Sequence, residues 1–237
     1  MKKLYKKMTH FSKRIRNIPL KEISSAGSYI TRKNCNSKEI QFESSLEMDF
    51  IYLLEFDIEV EYYTEQPLAI KYLDNENKER LYYPDFYIHY FDANKKDNII
   101  EVKYFNDLKK NEKELGRKFN AARDFCKLHS LDFIIITERE IRKERDYLRN
   151  IKFLSRFRFN IASANDSSKE DVLVGLLIIK TIRNSKTISI ESLIKELKKE
   201  NIRPEQSQYY LWILIANNFV RCDLTKKLKM KSIVWVE

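Results

Sequence analysis

Tyr83-Pro84-Asp85 followed by Glu101-Val102-Lys103 constrains this chain more than any other stretch. Between the two lie an apolar alternation at Phe86, Ile88 and Tyr90, a polar turn from Asp92 to Asn98, and the run Ile99-Ile100 that leads into Glu101. Alternation of period two marks strands, and a short polar segment joining two of them marks a hairpin. Successive strand side chains point to opposite faces, so Glu101 and Lys103 share one face and Val102 takes the other. Asp85 is expected near the open end of the same hairpin. The sequence therefore predicts two carboxylates and an ammonium gathered at one sheet end.

That grouping suits metal-assisted phosphodiester hydrolysis, in which a nucleophile must approach an anion and further negative charge must be stabilised. Magnesium takes oxygen ligands and is usually held by one or two carboxylates together with waters and a substrate phosphate. Asp85 and Glu101 are the expected ligands, with the Val102 backbone carbonyl as a third; Mg2+ is the expected cofactor, with Mn2+ able to replace it. Lys103 would lie beside the metal and the scissile phosphate and orient the attacking water. Glu47 is a fourth candidate: it borders the helical stripe Leu46, Phe50, Leu53 and Leu54, where a carboxylate can reach a neighbouring sheet. Glu43, one turn earlier, could replace it or support it.

Singly, a Pro-Asp dipeptide is an ordinary turn and Glu-x-Lys an ordinary solvated pair. Their order decides between the readings. An acid on an apolar-striped helix (43–56), strands at 58–64 and 68–73, the Pro-Asp and Glu-x-Lys strands, a helix over 107–129 and a strand over 132–137 form the sequence of a restriction-endonuclease-like α/β core with a mixed sheet.

Charge is distributed unevenly along the 237 residues, whose formal net charge is +10. Residues 1–42 carry eleven Lys/Arg against two acids, whereas residues 43–101 carry five against fifteen. A basic arm beside an acidic metal-site half is the pattern expected where DNA contacts surround a metal centre, although a lysine-rich solvated surface also contributes to such an excess. Lys13, Arg14 and Arg16 in the arm are candidate phosphate contacts. So are Lys109, Lys113 and Arg117, which recur at four-residue spacing on the 107–129 helix; a merely solvated face is the competing reading. No apolar run is long enough to span a membrane, and no signal-peptide core opens the chain. Cys35, Cys126 and Cys222 are widely separated, which supports neither a zinc site nor a disulfide framework and fits a cytoplasmic protein.

The chain reads as four parts: a basic, partly flexible arm (1–42), the nuclease core (43–160), a small-polar linker (161–168) and a second domain (169–237). In the last, Val172, Leu176, Ile179 and Ile182 mark one helix, Ser189 caps a second running to Lys199, and Pro204 opens a third running to Asn217. A hairpin over 219–236, with Lys226, Lys227 and Lys229 at its tip, completes a winged-helix-like domain that could meet DNA or a protein partner.

Taken together, these residues resemble the TnsA family, the endonuclease subunit of heteromeric Tn-type transposases. The resemblance runs through Ser24-Ser25-Ala26-Gly27-Ser28, Leu46-Glu47, Glu65-Gln66-Pro67-Leu68, Asp85-Phe86, Glu101-Val102-Lys103 and Phe133 to Ile141. It implies catalytic roles for Glu47, Asp85, Glu101 and Lys103; the family can carry Gln at the position of Glu101, where this chain has the acid of the general nuclease pattern. It further implies 5′-strand cleavage of double-stranded DNA at transposon ends with magnesium, alongside a TnsB-like DDE transposase and a TnsC-like ATPase regulator that docks on the carboxy-terminal domain. The alternatives are a stand-alone restriction or repair nuclease and a non-catalytic DNA-bound adaptor; retention of all four site residues argues against the adaptor.

Overall fold

A computed structural model of the chain describes residues 11, 13–15, 26–34, 37–158 and 169–237. The described residues divide into two compact units, one ending at Lys143 and one beginning at Glu144.

The first unit is built on a four-stranded sheet of β3 (Val60–Glu65), β6 (Phe86–Tyr90), β7 (Asn98–Val102) and β8 (Asp132–Ile136), in the order β3-β6-β7-β8. The first two pairings are antiparallel and β7–β8 is parallel. The alternation read from the sequence holds. Phe86, Ile88, Tyr90, Ile100 and Val102 face a core with Leu46, Phe50, Ile51 and Leu54 of α1 (Ser45–Phe56). Tyr87 and Ile99 face a second core with Leu115, Phe119, Ala122 and Cys126 of α3 (Glu112–His129). The sheet is thus covered on both faces, and Glu101, which alternates with Ile100 and Val102, belongs to the α3 side.

Local chemistry sets the element ends. The Ser44 hydroxyl accepts the Glu47 N–H and starts α1 at Ser45, two residues later than the sequence predicts. The helix predicted over 107–129 is instead two, α2 (Phe105–Lys110) and α3, because Asn111 leaves helical backbone at φ −114° and ψ 24°. Ser130, left-handed at φ 57°, ends α3 and turns the chain into β8. The strand read at 68–73 is β4 (Ile70–Leu73), and it pairs as a hairpin with an unforeseen strand, β5 (Glu79–Tyr82), before the Pro-Asp strand.

The described residues of the arm include paired strands that its composition does not suggest. β1 (Gly27–Ile30) and β2 (Glu39–Phe42) pair antiparallel, and Gly27 allows the close approach of the Phe42 ring: a Cβ there would lie 2.8 Å from Cζ. Phe11 packs against Tyr87 and Phe125, with ring centroids 5.3 and 6.3 Å apart. Arg16, Ser24-Ser25 and Cys35 lie outside the described residues, as does the linker read at 161–168.

The second unit begins earlier than the linker would place it. α5 (Arg145–Leu154), which follows the short α4 (Glu138–Ile141), buries Leu148, Ile151 and Leu154; Phe153 meets Trp212 edge-on at 5.5 Å. Asn150, also buried, donates to the Leu224 and Lys226 carbonyls and accepts the Leu228 N–H, so it pins the loop of the late hairpin. These contacts bind 145–154 to the second unit although sequence grouped them with the core. Beyond them come α6 (Lys169–Ser185), β9 (Thr187–Ser189), α7 (Ile190–Lys199), α8 (Pro204–Ala216), β10 (Arg221–Cys222) and β11 (Ile233–Trp235), with an antiparallel sheet in the order β10-β11-β9. On α6 the buried residues are Val174, Ile178 and Ile182, while Val172 and Leu176 of the predicted stripe are exposed. The i, i+4, i+8 series is the one that faces α7 and α8.

Leu193 is fully buried among these helices, and both tryptophans, Trp212 and Trp235, lie in the same unit. Leu193→Ala should destabilise this unit by about 2–5 kcal/mol. The check is urea unfolding followed by tryptophan fluorescence; an unshifted midpoint would mean that Leu193 is not a core residue.

Candidate active site

Antiparallel register fixes the centre of the site. Phe86 pairs with Ile100, so one step outward Asp85 stands opposite Glu101, on the same face of the β6–β7 pair. Asp85 is anchored by its neighbour: its Oδ2 accepts the Val102 N–H at 2.7 Å, and its backbone carbonyl accepts the Gln66 N–H at 2.9 Å. Lys103 continues the β7–β8 ladder by donating its N–H to the Ile136 carbonyl.

Glu101 is 1% exposed and fully partnered. Its Oε2 accepts the Tyr82 hydroxyl at 2.6 Å, and its Oε1 lies 3.4 Å from the Lys103 ammonium and 3.5 Å from that of Lys118. Burial, followed by the neighbouring Glu101 charge, pushes the Tyr82 phenol well above its usual range, so it acts as a donor and not as an anion.

Asp85 is under electrostatic strain. Burial first, and then the Glu101 and Glu47 charges, push its carboxyl well above the ordinary aspartate range; Lys103 and the Val102 amide oppose the shift. Burial also raises Glu47, whose carboxylate is tied locally: Oε2 accepts the Glu43 N–H and Oε1 the Ser44 hydroxyl, both at 2.8 Å. Glu43 is exposed and reaches the group through its backbone. For Lys103, burial acts to lower the pKa, but Glu101, Asp85 and Glu47 outweigh it and the net shift is upward. All four predicted residues are therefore electrostatically linked, with Lys103 as their shared counter-charge.

This donor set fits a hard cation. A buried aspartate, raised by two neighbouring carboxylates, is a group whose ionised form a divalent ion would favour. Among the described residues no three His, Cys, Asp or Glu side chains form a ready-made cage. Magnesium does not require one, since two carboxylates, waters and a phosphate satisfy its usual coordination. Asp85 and Glu101 could supply the carboxylates and the Val102 carbonyl a third oxygen.

The predicted phosphate contacts fare unequally. Lys13 and Lys113 are exposed. Arg14 instead pairs with the buried Glu65 at 3.1 Å, and Arg117 donates to the Asp74 carbonyl at 2.8 Å. The Lys109 ammonium sits 4.7 Å from the Phe105 ring centroid, and because Asn111 divides α2 from α3, no continuous basic stripe joins it to Lys113 and Arg117. Two residues at the site were missed from sequence, Tyr82 and Lys118. Lys118 had left a signal: it occupies the i+3 place of the stripe Leu115, Phe119, Ala122, where an apolar residue is expected. Gln66, buried and left-handed at φ 42°, is a third; its strain lies one hydrogen bond from Asp85.

Compared with models of known protein families, residues 57–138 match the TnsA-like endonuclease N-terminal domain and residues 140–224 the TnsA endonuclease C-terminal domain. The chain belongs to the TnsA family. No curated protein matches it. The TnsA N-terminal match contains Asp85, Glu101 and Lys103, and the two matches together span the two domains of a transposase endonuclease subunit. Among the described residues, no helix is long and apolar enough to cross a membrane.

Tyr82→Phe removes the donor from Glu101 Oε2 without changing the ring. It should cost about 1.5–3 kcal/mol, the range for a hydrogen bond to a charged group. Equilibrium denaturation monitored by circular dichroism is the measurement, and a loss below about 0.5 kcal/mol would show that the phenol does not hold the carboxylate.

Proposed function

We propose that this chain is a divalent-metal-dependent DNA endonuclease subunit of a heteromeric transposase, cutting the 5′ strands at transposon ends while a TnsB-like DDE transposase acts on the 3′ ends. The observation that carries this reading is the facing of Asp85 and Glu101 across β6–β7, with Lys103 beside both. In this reading the first unit is a restriction-endonuclease-like core. The second is a winged-helix-like domain, supported by its order of helix, strand, two helices and two further strands around a three-stranded antiparallel sheet.

Bound by Asp85 and Glu101 with the Val102 carbonyl, Mg2+, or Mn2+ in its place, would supply the positive charge that draws in the phosphate and stabilises the charge of the transition state. The chain's own groups set up the rest. The Val102 amide holds Asp85 in place, and Tyr82 fixes the rotamer of Glu101. Lys103, kept protonated by three carboxylates, orients the attacking water and offsets charge on the phosphate. Glu47, tied to the start of α1, completes the acidic surround.

The second unit is assigned to docking a TnsC-like ATPase regulator. Its Tyr209 is 42% exposed and stacks edge-on with Tyr210, which leaves an aromatic anchor at the surface, whereas Trp212 is committed to the core.

Asp85→Ala should abolish cleavage of transposon-end DNA in the presence of the partner transposase and ATPase, while circular dichroism shows the fold retained. Wild-type cleavage by Asp85→Ala would remove this residue from the mechanism. Lys103→Ala should lower the rate at saturating DNA by about 10²–10³, the range for loss of one preorganised electrostatic group. An effect confined to DNA affinity would make Lys103 a binding residue only. Efficient sequence-specific cutting by the isolated chain would favour a stand-alone nuclease.

A further inference from the structure

Glu101 has a second ammonium that the mechanism above leaves unused. Lys118 rises from α3, on the sheet face that bears Glu101, and reaches to 3.5 Å from Oε1. Its side chain is 18% exposed, against 37% for that of Lys103. Aromatic rings guide it: the ammonium lies 5.0 Å from the Tyr82 ring centroid and 5.2 Å from that of Phe119. The same Tyr82 donates to the other oxygen of Glu101.

A lysine in the buried stripe of a helix is costly unless its charge is used. Packing alone would favour an apolar residue among Leu115, Phe119 and Ala122, and Glu101 already has Lys103 and Tyr82 as partners. The site is also built for an anionic substrate in the midst of carboxylates, so a phosphate arriving at the Asp85–Glu101 edge must be met by positive charge. Lys103 interacts with Glu101, Asp85 and Glu47 together, whereas the ion pair of Lys118 is with Glu101. Its flexible four-carbon stem lets the ammonium swing between neighbouring anions while the aromatic rings hold its base.

We propose that Lys118 is a second phosphate-binding residue of this site, paired with Glu101 in the free protein and with a DNA backbone phosphate in the complex. The proposal rests on the nuclease reading of Asp85 and Glu101.

The experiment uses the full chain and a short duplex in chelator, so that binding is read without cleavage, over a salt series starting at low ionic strength. Lys118→Met keeps the apolar stem and removes the charge; Lys118→Arg keeps the charge. The methionine variant should bind roughly tenfold more weakly, the scale of one charge-assisted hydrogen bond. Its slope of log affinity against log salt should be shallower by about 0.9, the value for one phosphate contact. The arginine variant should retain the wild-type slope. Unchanged affinity and slope in Lys118→Met would overturn the proposal, as would an equal loss in Lys118→Arg, which would indicate a packing role. Should Lys118→Met melt early, Lys118→Gln, measured below its transition, carries the same comparison. Asp85→Asn separates the two readings: persistent cleavage there sinks the nuclease assignment, whereas lost cleavage there with an unchanged slope in Lys118→Met sinks this proposal alone.

Discussion

The hydrogen bond from the Val102 amide to the Asp85 carboxylate, 2.7 Å long, closes the β6–β7 ladder at its open end, and the geometry of the site follows from it. The acceptor is a side chain where a backbone carbonyl would continue a ladder, so Asp85 ends the pairing and is held at its edge. Register then leaves Glu101 no choice of face. A slip by one residue would move Glu101 into the apolar core shared with α1 and bring Val102 to the carboxylate side. The buried alternation Phe86, Ile88, Tyr90 against Ile100 and Val102 makes that slip expensive, so core packing and site geometry are set by the same pairing.

Electrostatics explains why so much structure surrounds three carboxylates. The Glu101 and Glu47 charges raise the cost of ionising Asp85, and the chain surrounds the three carboxylates with donors: the Glu43 amide and Ser44 hydroxyl for Glu47, the Val102 amide for Asp85, and Tyr82, Lys103 and Lys118 for Glu101. Asp85 remains under-compensated, with its carboxyl well above the usual range. A group in that state favours the arrival of positive charge, which supports the metal-dependent function proposed above.

Elsewhere the same residue types serve the fold. Arg14 neutralises buried Glu65, which also accepts the Gln41 amide, and Arg142 pairs with buried Asp49 at 2.7 Å. Part of the positive charge that composition assigned to DNA is therefore spent inside the first unit. In the second unit Asn150 does comparable work without charge, holding the late hairpin loop by three backbone hydrogen bonds.

Short-range pattern made the sheet and the grouping of Asp85, Glu101 and Lys103 legible: the alternation in β6 and β7 placed Glu101 and Lys103 together, and the polar turn brought Asp85 back to them. Helix spacing found α1 with Glu47 at its edge, and Ser189 and Pro204 marked the starts of α7 and α8 because capping chemistry is local. The break at Asn111, the strand β5 that pairs with β4 and the allegiance of 145–154 to the second unit were not legible, since each depends on what distant surfaces bury. So did the partners of charge. Composition counts a lysine or arginine but is silent on whether it faces water, a carbonyl or a carboxylate, and thus could not tell Arg14 from Lys13 or single out Tyr82 and Lys118. The sequence by itself determined the strand faces and the identities of the acids, because those follow from covalent spacing; only the tertiary structure decided which cations meet them, because charge pairing acts through space between residues the chain keeps far apart.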